Sequence, residues 1–480
     1  MIPAGKKSFW TEDWLAVAIG LAIFFAGLIG LGRFDPFGWA VKTNVWTGAT
    51  KIATPAGASW SQVPGWMALL LTFAFLGLVL AIGISRLGGR PRRFILSFTV
   101  VFFASYFCFA AGHNAFIAAT PDQLKKFGIS WSLNLTGEAG YIIALGLGLA
   151  LGNFLPGLVE LLSEAIRPEL YIKIAIVLLG AGLGVKSADA LGLASAVMFR
   201  GLCAIVEAYL IYWALVYFVA RKFFGFSREW AAPLASGISI CGVSAAIATG
   251  AAIRARPIVP IMVSSLVVIF AVVELLFLPF VAQHWLHHDP LVAGAWMGLA
   301  VKTDGAAVAS GTIADSLIRA KALAMDGTVY QEGWVTLTAT SVKVFIDIFI
   351  GIWSFILAVI WCSKIEKTGE KVRAREIWER FPKFVLGYAL TFVVLLCVCV
   401  AYPGQLKAAK AMTGSIDTFR VLFFALTFFS IGAVSNFRKL REEGIGRLAL
   451  VYVVCLFGFI VWIGLFISFV FFHGMKPPTG

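Results

Sequence analysis

Apolar runs about as long as a bilayer is thick recur along nearly the whole chain, and they limit the fold more than any other feature. A hydrocarbon core of about 30 Å takes about 20 residues of helix. Inside it, only helices and closed barrels satisfy their own backbone groups. About thirteen such runs can be read, near 14–32, 66–84, 94–112, 138–155, 170–185, 196–220, 233–253, 257–282, 291–311, 335–362, 384–401, 419–436 and 448–472. Of the 480 residues, 60% are hydrophobic and 13% charged, where soluble domains carry about 25% charged residues. The expected fold is an all-α integral membrane protein.

The formal charge of +14 does not point to nucleic acid, because the basic residues fall in short loops. Arg86–Arg93, Arg221–Arg228, Lys364–Lys383 and Arg438–Arg447 separate apolar runs, and such loops mark the cytoplasmic side. With Lys6 and Lys7 inside, every one of these loops is inside by parity. Arg254 and Arg256 are the exception. If 233–253 is a re-entrant hairpin they return to the cytoplasm, and 291–311 must then be re-entrant from the other face. The expectation is thirteen full spans, with 233–253 and 291–311 each crossing once with a break. The protein is placed in the cell's inner (plasma) membrane with a cytoplasmic N-terminus. The run 14–32 reads as a retained helix, since no A-x-A site follows it.

The first three runs, within 1–137, precede two sets of five, 138–290 and 291–480. Five spans per set would invert the second copy, and inverted repeats place a transport site at their interface. The fourth members are 233–253 and 419–436; the latter holds FFSIGAVSN (Phe428–Asn436) as a weaker interruption. The stretch 36–62 reads as an interfacial or external loop, and 315–333 as a polar connection with room for a short helix.

Chemistry concentrates where the apolar pattern fails. Ala235–Ala248 reads ASGISICGVSAAIA, a tract of small residues that can unwind and offer bare backbone to a solute. A half-helix starting near Cys241–Gly242 would attract anions, with Ser239 and Ser244 adding hydroxyls. Gly298–Gly311, GLAVKTDGAAVASG, sets Lys302, Thr303 and Asp304 in the middle of an apolar run, where ionisable residues are costly and face a cavity or a partner. Lys343 and Asp347 share a helix face at i, i+4. The single intramembrane acids Glu207 and Glu274 could each carry a coupling proton, if buried, or sit near a helix end. His284, His287, His288 and Asp289 (HWLHHD) read as an interfacial loop. The seven cysteines form no metal or disulfide pattern.

At ICGVSA (Ile240–Ala245), within Gly237–Ala245, the chain resembles the YeiH-type sulfate exporter family. LLGAGLG (Leu178–Gly184) and LGLALGN (Leu147–Asn153) agree. The resemblance covers about 140–362, and the C-terminal part more loosely. The chain departs from the family's GTSIHDTAQVVAAG-like run, having GLAVKTDGAAVASG instead. It keeps Lys343 of the ATVxKLxR-like segment but not the arginine. The resemblance implies kinship to sodium/proton antiporters and bile-acid transporters, with broken helices in a transport domain that moves against a scaffold, often in a dimer.

The expected function is secondary active transport of a small anion, of the sulfate or organic sulfonate class, by alternating access of an elevator-like kind. Ser239, Cys241, Gly242, Ser244, Lys302 and Thr303 would contact substrate. Asp304, Lys343 and Asp347 would handle a coupling H⁺ or Na⁺. A homodimer in the lipid bilayer is expected, with no cofactor, resident metal or catalytic residue; no nucleophile–base motif or phosphate loop is present. The rivals are a cation/proton antiporter and, from another class, a membrane-embedded enzyme or receptor.

Overall fold

The apolar runs form helices because no other lipid-facing segment satisfies its own N–H and C=O groups. A computed structural model describes residues 10–479 except 33, 49–50, 120–122, 134, 136, 138, 190, 257, 362–364, 366–381 and 436–445. Lys6, Lys7 and most of the Lys364–Lys383 and Arg438–Arg447 loops therefore lie outside the described residues. The main helices are α1 (Glu12–Leu28), α2 (Gly65–Arg86), α3 (Pro91–Gly112), α4 (Ala139–Phe154) and α5 (Pro168–Asp189). Next come α6 (Leu191–Lys222), α7 (Arg228–Ser239), α8 (Val243–Ala252), α9 (Ile258–Trp285), α10 (Pro290–Ala300) and α11 (Asp304–Asp326). Last are α12 (Trp334–Ile360), α13 (Phe384–Ala401), α14 (Leu406–Val434) and α15 (Gly446–Phe472). Among the described residues, ten helices are long and apolar enough to cross a membrane. This is an all-α membrane protein.

The chain divides into two compact units. The first takes residues 1–189 and 383–434, the second 190–382 and 435–480. The divide cuts across the two sets of five runs, so each set supplies helices to both units.

In the first unit, helices approach through glycine. A Cβ on Gly148 or Gly152 of α4 would overlap the carbonyl oxygens of Phe429 and Ala433 on α14, and one on Gly432 would overlap Leu145 O. Small residues let membrane helices pack this closely. The FFSIGAV run is accordingly an unbroken part of α14, which continues to Val434; its glycine serves packing, not unwinding. Gly148→Leu should lower stability by about 1–3 kcal/mol through overpacking. Gly146→Leu, which meets nothing within 4 Å, should not. Thermal unfolding of the two purified variants checks this. The 36–62 stretch holds a short antiparallel ribbon, Val41–Lys42 with Thr54–Pro55.

In the second unit the structure corrects the span count. Thr249 of α8 donates to Ser236 of α7 at 2.7 Å, and the Arg256 backbone N–H donates to Glu229 at 2.7 Å. On a straight helix Ser236 and Thr249 would be about 20 Å apart. The segment 233–253 therefore folds back as a re-entrant hairpin, α7–α8. The second tract does the same. Gly294 and Gly298 of α10 lie against Val335–Thr338 and Ala339–Val342 in turn, so α10 runs parallel to α12. Gly311 of α11 packs on Ala339, and Asp315 accepts from the backbone of Gly333 and Val335, so α11 runs antiparallel to α12. Hence α10 and α11 form a second hairpin.

The hairpins enter from opposite ends of the unit. The α7–α8 base packs Ala232, Ala252 and Ile253 with Leu357 and Trp361 at the end of α12. The α10–α11 base lies beside the start of α12, where Lys321 reaches His284 O. The one exception to charge parity is thereby resolved: Arg254 and Arg256 return to the side of Arg228. Each five-run set then holds a hairpin and four other helices, so an argument from five spans per set does not apply. The helix within the polar 315–333 stretch is the end of α11, which continues to Asp326, where Gly327 closes it at φ 72°, the left-handed end that glycine favours.

Candidate functional site

The two hairpins meet at their tips. The α7–α8 tip is Ile240, Cys241 and Gly242; the α10–α11 tip is Val301, Lys302 and Thr303. A Cβ on Gly242 would lie 2.8 Å from Lys302 O and 3.3 Å from Thr303 Cγ2. Gly242 stands at φ 71°, ψ −110°, open in practice to glycine alone. Each tip joins the C-terminus of one half-helix to the N-terminus of the next, so ends of both partial charges converge.

The side chains answer those charges. Lys343, 1% exposed, donates from Nζ to Ile240 O at 2.8 Å and Val301 O at 3.3 Å. One buried ammonium thus satisfies a carbonyl from each tip, at the negative ends of α7 and α10. Lys302, fully buried, turns its ammonium back to Leu299 O and lies 4.6 Å from the centroid of the Tyr212 ring, a cation–π geometry. Its backbone N–H donates to Glu274 Oε2 at 2.9 Å. At the positive end of α11, Thr303 caps the helix by accepting from Ala306 N, and Asp304 occupies the first turn, where a carboxylate is favoured.

Three acidic ligand groups converge beside these tips. Cys241 Sγ and carboxylate oxygens of Asp304 and Asp347 lie within 4.8 Å of one another, all buried. Outside this trio, no donor among the described residues reaches either carboxylate oxygen of Asp347, which is 1% exposed. The Ser239 hydroxyl is likewise buried without a partner among the described residues. Ser244 lies in the first turn of α8, but its side chain is outside the described residues.

A further layer was not singled out from the sequence. Glu207–Tyr212 in α6 and Leu456–Ile460 in α15 are π-helical, a form that strands backbone carbonyls and recurs at functional sites. Tyr212 donates to Ile460 O at 2.9 Å and Trp296 to Val461 O at 2.8 Å. The acid Glu207 lies beside Tyr212, near Gly464. Nothing in the letters of α15 announces this register, although Glu207 itself is an acid in a long apolar run. The His287 and His288 rings lie 3.9 Å apart, but the HWLHHD residues form no group of three metal-capable ligands; among the described residues only Cys241, Asp304 and Asp347 do. His287 sits in the loop after α9, where burial and then His288 and Lys321 hold its imidazole below the usual range.

A family profile described as conserved hypothetical protein 698 matches residues 129–451, which hold both hairpins and α12. A UPF0324 membrane protein of Nitrosomonas europaea is 40% identical over 98% of this chain and 97% of its own length. The chain belongs to the UPF0324 family of membrane proteins. Another UPF0324 membrane protein, from Rhodopirellula baltica, is 29% identical over 86% of this chain and 68% of its own. An uncharacterized protein of Archaeoglobus fulgidus is 52% identical over 30% of this chain and 87% of its own length. No solved structure matches.

Proposed function

We propose that this UPF0324 protein is a secondary active transporter whose site is the junction of the two hairpin tips. The observation that carries the reading is the pair of Asp304 and Asp347 carboxylates beside unwound backbone, deep within apolar helices. Irregular backbone and buried charge at that depth are costly, and they mark ion and substrate pathways. Two carboxylates this close repel unless a proton or a cation sits between them. The pair is therefore the coupling site, loading and releasing a positive charge as access alternates. Lys343 holds both tips in place while it does so.

The cargo of this cycle is a small anion, of the sulfate or organic sulfonate class, moved together with protons. The first-turn N–H groups of α8 and α11 start at the junction, and such groups lack intrahelical partners. A second reading, cation/proton antiport, is favoured by the local charge. Glu207, Glu274, Asp304 and Asp347 outnumber Lys302 and Lys343, and both ammoniums already serve helix carbonyls. Proteoliposomes loaded with a pH-sensitive dye test the common core. Wild-type protein should carry protons under an imposed sulfate or Na⁺ gradient, and the active gradient identifies the cargo. Asp347→Asn should lower that flux at least tenfold while the protein stays folded. Unchanged proton flux in Asp347→Asn would remove the coupling site from this pair.

A further inference from the structure

The coupling reading leaves open which positive ion the acidic cluster prefers, and the third ligand bears on that choice. Cys241 brings sulfur to a site where two carboxylates would suffice for a proton. Hard cations are poorly served. Ca²⁺ takes six to eight oxygens and Mg²⁺ a near-ideal octahedron. The tip carbonyls that could complete an oxygen shell, Ile240 O and Val301 O, already accept from Lys343. Soft and borderline ions select thiolate and bind with few ligands: zinc-class ions accept both Cys sulfur and Asp oxygen, at about 2.0–2.3 Å, and keep a fourth position open in sites with three protein ligands.

The charge balance agrees. A thiolate and two carboxylates carry three negative charges, and Lys343 is the cation that faces both Cys241 and Asp347. One divalent ion closes the balance inside a low-dielectric site, where an uncompensated charge is costly. The second indication of a ligand is Asp347 itself: it is almost wholly buried, and no donor among the described residues outside the trio reaches its carboxylate.

We infer that Cys241, Asp304 and Asp347 bind a divalent transition-metal ion of the zinc class at the junction of the hairpin tips. The inference rests on the reading of this cluster as the ion site of a transporter. Loading releases the thiol proton and the proton shared by the two carboxylates to solvent as the metal–sulfur and metal–oxygen bonds form, and no electron is transferred.

Cobalt(II) is the probe, because a cobalt–thiolate bond gives an ultraviolet charge-transfer band that carboxylate or imidazole binding does not. Titration of the purified, detergent-solubilised full chain should show that band saturating at one ion per chain, and Zn²⁺ should displace it. Cys241→Ser should abolish the band, and Asp347→Asn should weaken cobalt binding at least tenfold. A variant with His284, His287, His288 and His473 all changed to Gln should keep it, which removes surface histidines as the source. Absence of the band in folded wild-type protein, or a band that survives Cys241→Ser, overturns the inference. If the band is absent while Asp347→Asn still lacks proton flux, the metal assignment fails and the coupling site stands. If the band is present and Asp347→Asn carries protons normally, the metal site stands and the coupling reading fails.

Discussion

Lys343→Met should destabilise the second unit by about 3–5 kcal/mol, the usual cost of removing one partner from a buried charged arrangement, and should abolish transport. The Lys343 ammonium holds Ile240 O and Val301 O together. Without it, two helix-terminal carbonyls from different hairpins are left unpaired, each costing about 1–3 kcal/mol, and the Asp304–Asp347 pair loses its nearest cation. Thermal unfolding of the purified variant measures the first effect, and flux in proteoliposomes the second. Lys343→Arg keeps the charge but brings a planar guanidinium to a place fitted to a compact ammonium. It should recover part of the stability and little of the flux. A methionine variant with unchanged stability and flux would show that the tips hold together without this side chain.

Gly242→Val should be the most damaging single change at the tips. Its backbone lies where a side chain is strained, at a cost of about 1–3 kcal/mol. The added Cβ would also lie 2.5 Å from Val267 Cγ1 and 2.8 Å from Lys302 O. The second distance matters most, since a backbone atom of the opposite tip cannot swing aside as a side chain can. The variant should either fail to accumulate in membranes or accumulate without flux. Gly192→Ala in α6, with nothing within 4 Å, is the control and should behave as wild type to within about 0.5 kcal/mol. Membrane yield, unfolding midpoint and flux of the two variants read side by side decide the matter.

Much of this site is written in the residue types. A small-residue tract around Cys241–Gly242 and a Lys302–Asp304 cluster inside apolar runs both stand out because they break the composition of a lipid-facing helix. The pairing of Lys343 with one carbonyl from each tip is a different matter. It depends on two segments about sixty residues apart meeting end to end, and no periodicity records that. The fold-back of α7–α8 and α10–α11 is equally hidden. An apolar run that enters and returns has the same hydropathy as one that crosses, and only Arg254 and Arg256, on the wrong side of a thirteen-span count, speak against crossing. Glycine carries two opposite meanings here. In α14, Gly432 lets two unbroken helices touch; at the α7–α8 tip, Gly242 turns the chain.

The first arms of the hairpins are nearly equal: α7 has 12 residues and α10 has 11. At 1.5 Å per residue these are about 18 Å and 16 Å long, each a little over half of a hydrocarbon layer of about 30 Å. An ion lodged between the two fingertips is therefore buried to a similar depth whichever bath it came from. On the transport reading proposed above, neither compartment starts with the shorter road to the tips.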